Sequence, residues 1–350
     1  METVIKQTTG IDCGSEELVV SFAQLSASGT FSIKGSSAFK NSPNGFKRLL
    51  KWVDSLADPD TETLFVMEAT GVYHENLAYF LVSNGCCVSI VLPNKVSAYA
   101  KTCTSKKQDD LQASRVLAEF ACIKQLEHWE PPHPLYVKLR ALSREKVQLC
   151  RQNTIILNQL HAEKRRALSS KAAIKRMQAR TRLIEKQIEE IEKEIKTLID
   201  GEPEVKNKVD KVCTIPGVGL QTVVSVIAET NGFNLIRNSR QLVSYAGLDV
   251  VQKLSGTSVR GRSHISKRGN PYLRSALFMP SFSAVRFNPA LKTFYQRIQQ
   301  RQSIKMKGYT AVTRKLLVLI YTLWKKDEGY TPDPSKFLEQ SMKTALTELD

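Results

Sequence analysis

The sequence predicts an α/β N-terminal domain, a helical coiled-coil middle and a mainly α C-terminal domain. Three observations carry that reading. Short apolar runs alternate with amphipathic stretches over residues 1 to about 125, the pattern of a sheet covered by helices. From about Tyr136 to Ile199 the chain is highly charged, and Ile174, Met177, Thr181, Ile184, Ile188, Ile191, Ile195 and Leu198 recur at spacings of three and four, a heptad seam. Beyond Lys211, glycine-bearing turns lead into apolar helices. The expected boundaries are 1–130, 131–205 and 206–330, with a polar tail over 331–350.

In order along the first domain, "GIDCGSEELVVSFAQL" and "TFSIKG" predict strands around a turn, and "NGFKRLLKWVDSLA" predicts an amphipathic helix. "TLFVMEAT" is a short strand run, "VYHENLAYFLVSNG" a helix ending on Gly85, and "CCVSIVLP" a further strand. "KKQDDLQASRVLAEF" opens a helix at Asp109 and Asp110, and "EPPHP" at 130–134 punctuates the chain as a linker or sharp turn. The heptad seam could close within one chain or between two; a long helical hairpin that dimerises is the preferred expectation. "TIPGVGLQTVVSVIAET" places two glycines in a turn before a helix. Such a turn resembles a helix-hairpin-helix element whose free amides suit a phosphate, although it also serves plain helix packing.

The formal net charge is +17, and it is unevenly placed. Between Asp249 and Asp327 the sequence holds sixteen Lys or Arg and no Asp or Glu. A solvated face mixes both signs, so a polyanion partner explains this segment better. No run of eighteen apolar residues occurs, which argues against a membrane partner. The N-terminus shows no signal-peptide or transit-peptide pattern. Seven scattered cysteines without a CxxC pair suggest reduced thiols in a cytoplasmic protein and argue against zinc.

Two groups of residues could carry chemistry. Asp12 lies in the first strand, Glu68 ends "LFVMEAT", and Asp110 begins the helix after the next strand. Strand ends of an open α/β sheet face its functional crevice, and three converging acids suit one or two Mg²⁺ ions. Each acid alone could equally be a cap or surface residue. The second group is "SGTSVRGRSHISKRGNPYLR". Ser255 precedes Gly256 on what could be a tight turn, and Arg260, Arg262, Lys267, Arg268 and Arg274 supply cations suited to phosphate. Ser266 competes with Ser255 for a nucleophile's role. Lys106 and Lys107, just before the catalytic-looking helix, join the expected nucleic-acid contacts.

Taken together, these pieces resemble the DEDD-type insertion-sequence transposases, the group related to the Piv DNA invertase and understood as bridge-RNA-guided recombinases. "GIDCG", "MEATGVYHENLAYFL", "VLPNKVSAYAKT" and "RVLAEFA" resemble the family's RuvC-like, ribonuclease-H-like domain; "TIPGVGLQT", "QLVSYAGL", "SGTSVRGRSHISKRGNPYLR" and "RKLLVLIYTL" resemble its C-terminal transposase domain. The resemblance implies four metal-holding acids, of which three fall on Asp12, Glu68 and Asp110. The family's D-x-x-D-A-x-x-L-A pattern, anchored on Leu117 and Ala118, puts the fourth at Ala113. An engineered Asp-to-Ala change or a natural departure would explain that alanine; engineering is preferred because the surroundings match well. Either way, impaired strand cleavage is expected. The resemblance further implies Ser255 as nucleophile, double-stranded DNA as donor and target, a guide (bridge) RNA, and homodimers pairing into a homotetramer. The competing readings are a Piv-like invertase working without a guide and a non-catalytic nucleic-acid-binding derivative.

Overall fold

The computed structural model describes residues 3–332 except 70, 103–108, 235, 252–253, 256–258, 261–263 and 302–303, with the backbone alone at 94, 254–255 and 259–260. The chain forms two compact units, Met1–Pro131 and Pro132–Asp350.

The first unit is built on five strands: β1 (Val4–Cys13), β2 (Glu17–Ser26), β3 (Phe31–Lys40), β4 (Thr63–Glu68) and β5 (Cys87–Val91). Their order is β3-β2-β1-β4-β5. The first three form an antiparallel meander, whereas β4 and β5 run parallel to β1. The strand and helix segments expected from the sequence are all present in this unit. Side chains alternate across a strand, and the two faces of the sheet have different tasks. Ile11, Val20, Phe22, Phe65 and Met67 bury with Phe46, Leu49 and Val53 of α1 (Pro43–Asp54) and Leu77 and Leu81 of α2 (Glu75–Ser83). Ser42 caps α1, accepting from the Gly45 amide, with Pro43 in the first turn, where a missing N–H costs nothing.

On the other face, Val66 and Val91 pack with Val96 of α3 (Pro93–Ala100) and with Val116, Leu117 and Phe120 of α4 (Asp110–Ile123). Helix α4 lies unusually close to β1. A Cβ on Gly10 would overlap the Ser114 carbonyl oxygen and the Ala118 amide, so only glycine fits there. The close approach is pinned by the Thr8 hydroxyl, which donates to the Ala118 carbonyl at 2.9 Å, and by a 2.7 Å bond between the Ser21 and Ser114 hydroxyls.

The second unit is mainly helical, with α5 (Pro134–Lys164), α6 (Lys171–Asp200), α7 (Pro203–Cys213), α8 (Leu220–Glu229), α9 (Ser239–Tyr245), α10 (Pro271–Phe287), α11 (Pro289–Gln299) and α12 (Lys305–Lys326). Helices α5 and α6 form the expected long hairpin. Thr181, Ile184, Ile191 and Ile195 of the heptad seam are buried within this single chain. Leu135, Leu139, Ile191, Ile195 and Ile199 share one core with Val209, Val223, Ile227, Leu273 and Leu316, so the hairpin base and the C-terminal helices form one packed body. Two short ribbons interrupt the helices: β6 (Val250–Val251) pairs with β9 (His264–Ile265), and β7 (Leu254–Ser255) pairs with β8 (Val259–Arg260). Gly217, at φ +92°, abuts the α10 backbone at Ala284. That first glycine of the "PGVG" turn therefore serves helix packing, while Gly219 faces open space as the start of α8. Among the described residues no helix is long and apolar enough to cross a membrane.

Candidate active site

Strand parity explains how the acids of the first unit meet. Thr8 and Gly10 face α4, so Asp12, two residues on, projects toward the same face. In β4, Leu64 and Val66 pack on the α4 side, which puts Glu68 there too. The parallel pairing of Ile11 with Met67 sets Asp12 and Glu68 level on neighbouring strands. Asp110 is the first residue of α4, and Gly10 allows that helix to bring it close to the end of β1.

The electrostatics agree. Burial pushes the Asp12 carboxyl above its usual range, with a further rise from Asp110. Glu68 is likewise raised, by burial first and then by Asp12. None of the ion pairs between described residues involves Asp12 or Asp110. A cavity of about 340 Å³ is lined elsewhere by α12; the one at the acids, about 330 Å³, is lined by Asp12, Gly14, Glu16, Glu17 and Asp110. Among the described residues no cluster of three or more His, Cys, Asp or Glu forms a ready-made metal shell. The donor chemistry nonetheless fits a hard divalent cation, which takes one or two carboxylates and completes its shell with water and substrate phosphate.

Asp109 caps the helix: its carboxylate accepts from the Gln112 amide at 2.7 Å. Ala113 lies three residues beyond Asp110 on α4, hence on the same helix face, and offers only a methyl group. Two supports escaped sequence reasoning. The Asn41 amide donates to the carbonyls of Gly14 and Tyr73, at 2.9 and 3.0 Å, tying together the loops that follow β1 and β4. Cys13, beside Asp12, is buried, and burial followed by the Asp12 charge pushes its thiol up to about 12.

In the second unit, Ser255 ends β7 and faces Val259 across the hairpin; Arg260 follows in β8. Arg262, Lys106 and Lys107 lie outside the described residues. Lys267 and Arg268 are exposed in the turn before α10, Lys267 with φ +54°. Arg274 is placed differently: its Nη1 donates to the carbonyls of Ala246, Gly269 and Asn270, at 2.8, 3.2 and 3.4 Å, so it organises this turn from within. The Ser266 hydroxyl donates to Asp249 at 2.5 Å and accepts from the Arg268 amide. Sequence reasoning also missed Glu229. Its carboxylate accepts two bonds from Arg144, at 2.7 and 2.8 Å, and one from the Asn270 amide at 2.6 Å. The available signal was a lone acid inside the apolar run "VVSVIAET".

Comparison with known proteins agrees with both halves. Residues 9–163 match the DEDD transposase family and residues 209–296 match the transposase family IS116/IS110/IS902. The pilin gene-inverting protein of Moraxella bovis is 30% identical over 296 residues, covering 83% of this chain and 89% of that protein. The chain belongs to the IS110-type DEDD transposases. An uncharacterised 43.6 kDa protein of insertion element IS110 from Streptomyces coelicolor is 27% identical over 141 residues, 40% of this chain and 33% of its own. The Thermus thermophilus RuvC structure overlaps 35% of this chain and 99% of its own, with 14% identity and a TM-score of 0.28. As an IS110-type transposase the chain is an enzyme of DNA recombination, so its substrate is DNA.

Proposed function

We propose that this transposase cuts and rejoins DNA with a divalent cation, Mg²⁺, at Asp12, Glu68 and Asp110, and with Ser255 as nucleophile. The observation that carries the metal half is the convergence of carboxylates: Asp110 adds to the raised proton affinity of Asp12 and Asp12 to that of Glu68, and no ion pair among the described residues reaches Asp12 or Asp110. A bound cation would supply a Lewis acid for phosphate oxygens. Asp12, Glu68 and Asp110 would position it. The Ser255 hydroxyl would give up its proton and form an O–P bond as the bond from phosphorus to the departing sugar oxygen breaks and that oxygen takes up a proton. Lys267 and Arg268, with Arg260 and Arg262 in the same segment, would hold phosphate charge, and Arg274 would keep their turn in shape.

Guidance by a bridge RNA, and homodimers pairing into a homotetramer, belong to the same reading and rest on the family resemblance. An invertase acting without a guide is the second reading, favoured by the likeness to a pilin gene-inverting protein. Sequencing RNA that copurifies with the chain separates the two: one discrete RNA encoded beside the gene supports guidance, and its absence favours the invertase.

Ala113 leaves the metal face one carboxylate short, so strand cleavage is impaired. Ala113→Asp is expected to raise cleavage roughly a hundredfold, the scale of one lost electrostatic contact in a transition state. Equal rates for the two chains, measured on the same DNA with Mg²⁺, would contradict the placement of the fourth acid.

A further inference from the structure

A cleft of about 340 Å³ in the second unit lies between the first half of α12 and the β6–β9 ribbon. Val250 and Ile265, paired across the ribbon, line one side, and Met306 and Ala311 of α12 line the other. Leu248 joins this lining to the core of the unit. A single exposed apolar side chain is ordinary on a protein surface. Here Val250 and Met306 are 54% and 44% exposed, and both line the same concave surface.

The charge around the cleft has one sign. His264, Lys307 and Arg314 complete the lining with Thr310, and no Asp or Glu is among its described residues. Lys307 and Arg314 stand on one face of α12 with Ala311 between them, about 10 Å apart along the helix axis. They therefore suit two anionic groups spaced along a ligand, with an apolar part between. A nucleotide within a strand has that order: a flat base face, and a phosphate on either side.

The position of the cleft points to the same ligand. The β7–β8 hairpin, which carries Ser255 and Arg260, lies in the sequence between the two strands of the ribbon. Ile265 leads within three residues to exposed Lys267 and Arg268. A strand held by this basic segment passes the cleft. The cleft has room for one nucleobase and not for a base pair within a duplex, so the base that enters is unpaired. A base that is already unpaired enters without the cost of breaking a pair.

We propose that this cleft holds one unpaired nucleobase of the nucleic-acid strand bound at the basic segment. Val250, Ile265, Met306 and Ala311 cover its apolar surface, and Lys307 and Arg314 meet the phosphates on either side. This deepens the proposed function, since it rests on the chain binding nucleic acid there. DNA and RNA share the chemistry, and the test separates them.

The full chain is titrated across a salt series with a DNA duplex carrying one unpaired thymine and with the same duplex fully paired. An RNA hairpin with and without one unpaired uracil forms the second arm. The form with the unpaired base should bind about tenfold tighter in at least one arm, the scale of stacking a single base, and that arm identifies the ligand. Replacing both Val250→Ala and Met306→Ala should remove most of this preference at unchanged salt slope. Both side chains are about half exposed, so the unfolding temperature should hold. Lys307→Ala reads the site independently and should make the plot of log affinity against log salt shallower by about one. No preference in either arm, a preference that survives the double replacement, or an unchanged slope for Lys307→Ala would each overturn the site while leaving the proposed function intact. Failure of the unmodified chain to bind any of the four nucleic acids would overturn both.

Discussion

Asp12 in the first unit and Glu229 in the second are both withdrawn from solvent, and their surroundings are opposite. Glu229 is met by a forked guanidinium and an amide, so each oxygen has a donor. Its partner Arg144 also lies over the Tyr272 ring at 4.4 Å, and the Tyr245 hydroxyl bonds the Glu229 carbonyl. Asp12 instead faces further carboxylates, and burial and repulsion both raise its proton affinity. The first arrangement is complete as it stands and fixes a turn. The second is unfavourable without an added cation, which is the condition expected of a metal-dependent site.

The contrast can be broken from either side. The largest effect is expected on the completed carboxylate. Arg144→Ala leaves Glu229, whose side chain is 2% exposed, with only Asn270, and should cost about 3 kcal/mol, the low end for breaking a buried pair. Urea unfolding checks this, and adding Glu229→Gln should restore part of the loss. A cost below about 1 kcal/mol would mean that the pair behaves as a surface ion pair.

A smaller effect is expected at the contact that assembles the acids. Gly10→Ala forces α4 away from β1, because the added methyl meets backbone rather than a flexible side chain, and should cost about 2 kcal/mol. It should also separate Asp110 from Asp12, and so abolish any stabilisation by Mg²⁺. Unchanged stability with an unchanged metal response would show that the close packing does not position the site.

Much of the first unit was legible because its information is local. Apolar runs of strand length, the Gly85 stop and the Asp109–Asp110 helix start each report on a few neighbouring residues. The placement of Asp12 and Glu68 also follows from a period of two once the strands are known. What could not be read depends on partners distant in sequence. Gly10 looks like any strand glycine until α4, more than a hundred residues away, is laid on it. Ser266 pairs with Asp249 across 17 residues, and Glu229 with Arg144 across 85. Arg274, expected among the cations for nucleic acid, shows a second task that charge alone does not reveal: its Nη1 donates to three carbonyls. Net charge reports sign and density, not direction. The heptad seam left two closures open; within this chain Thr181, Ile184, Ile191 and Ile195 are buried in a hairpin, while Ile174, Met177, Ile188 and Leu198 stay half-buried.

The proposed metal site at Asp12, Glu68 and Asp110 is tested most directly by the unfolding temperature with and without millimolar Mg²⁺, for the chain and for Asp12→Asn, from pH 7.5 downward. Because the folded pKa values of Asp12 and Glu68 are raised, the folded metal-free chain binds more protons than the unfolded one between the ordinary and the raised values. Its stability should therefore increase as pH falls from neutrality into that window. Mg²⁺ competes for the same deprotonated carboxylates. The account predicts stabilisation by Mg²⁺ at pH 7.5 that shrinks as pH falls and is lost in Asp12→Asn. An equal shift in both proteins, or none in either, would contradict it.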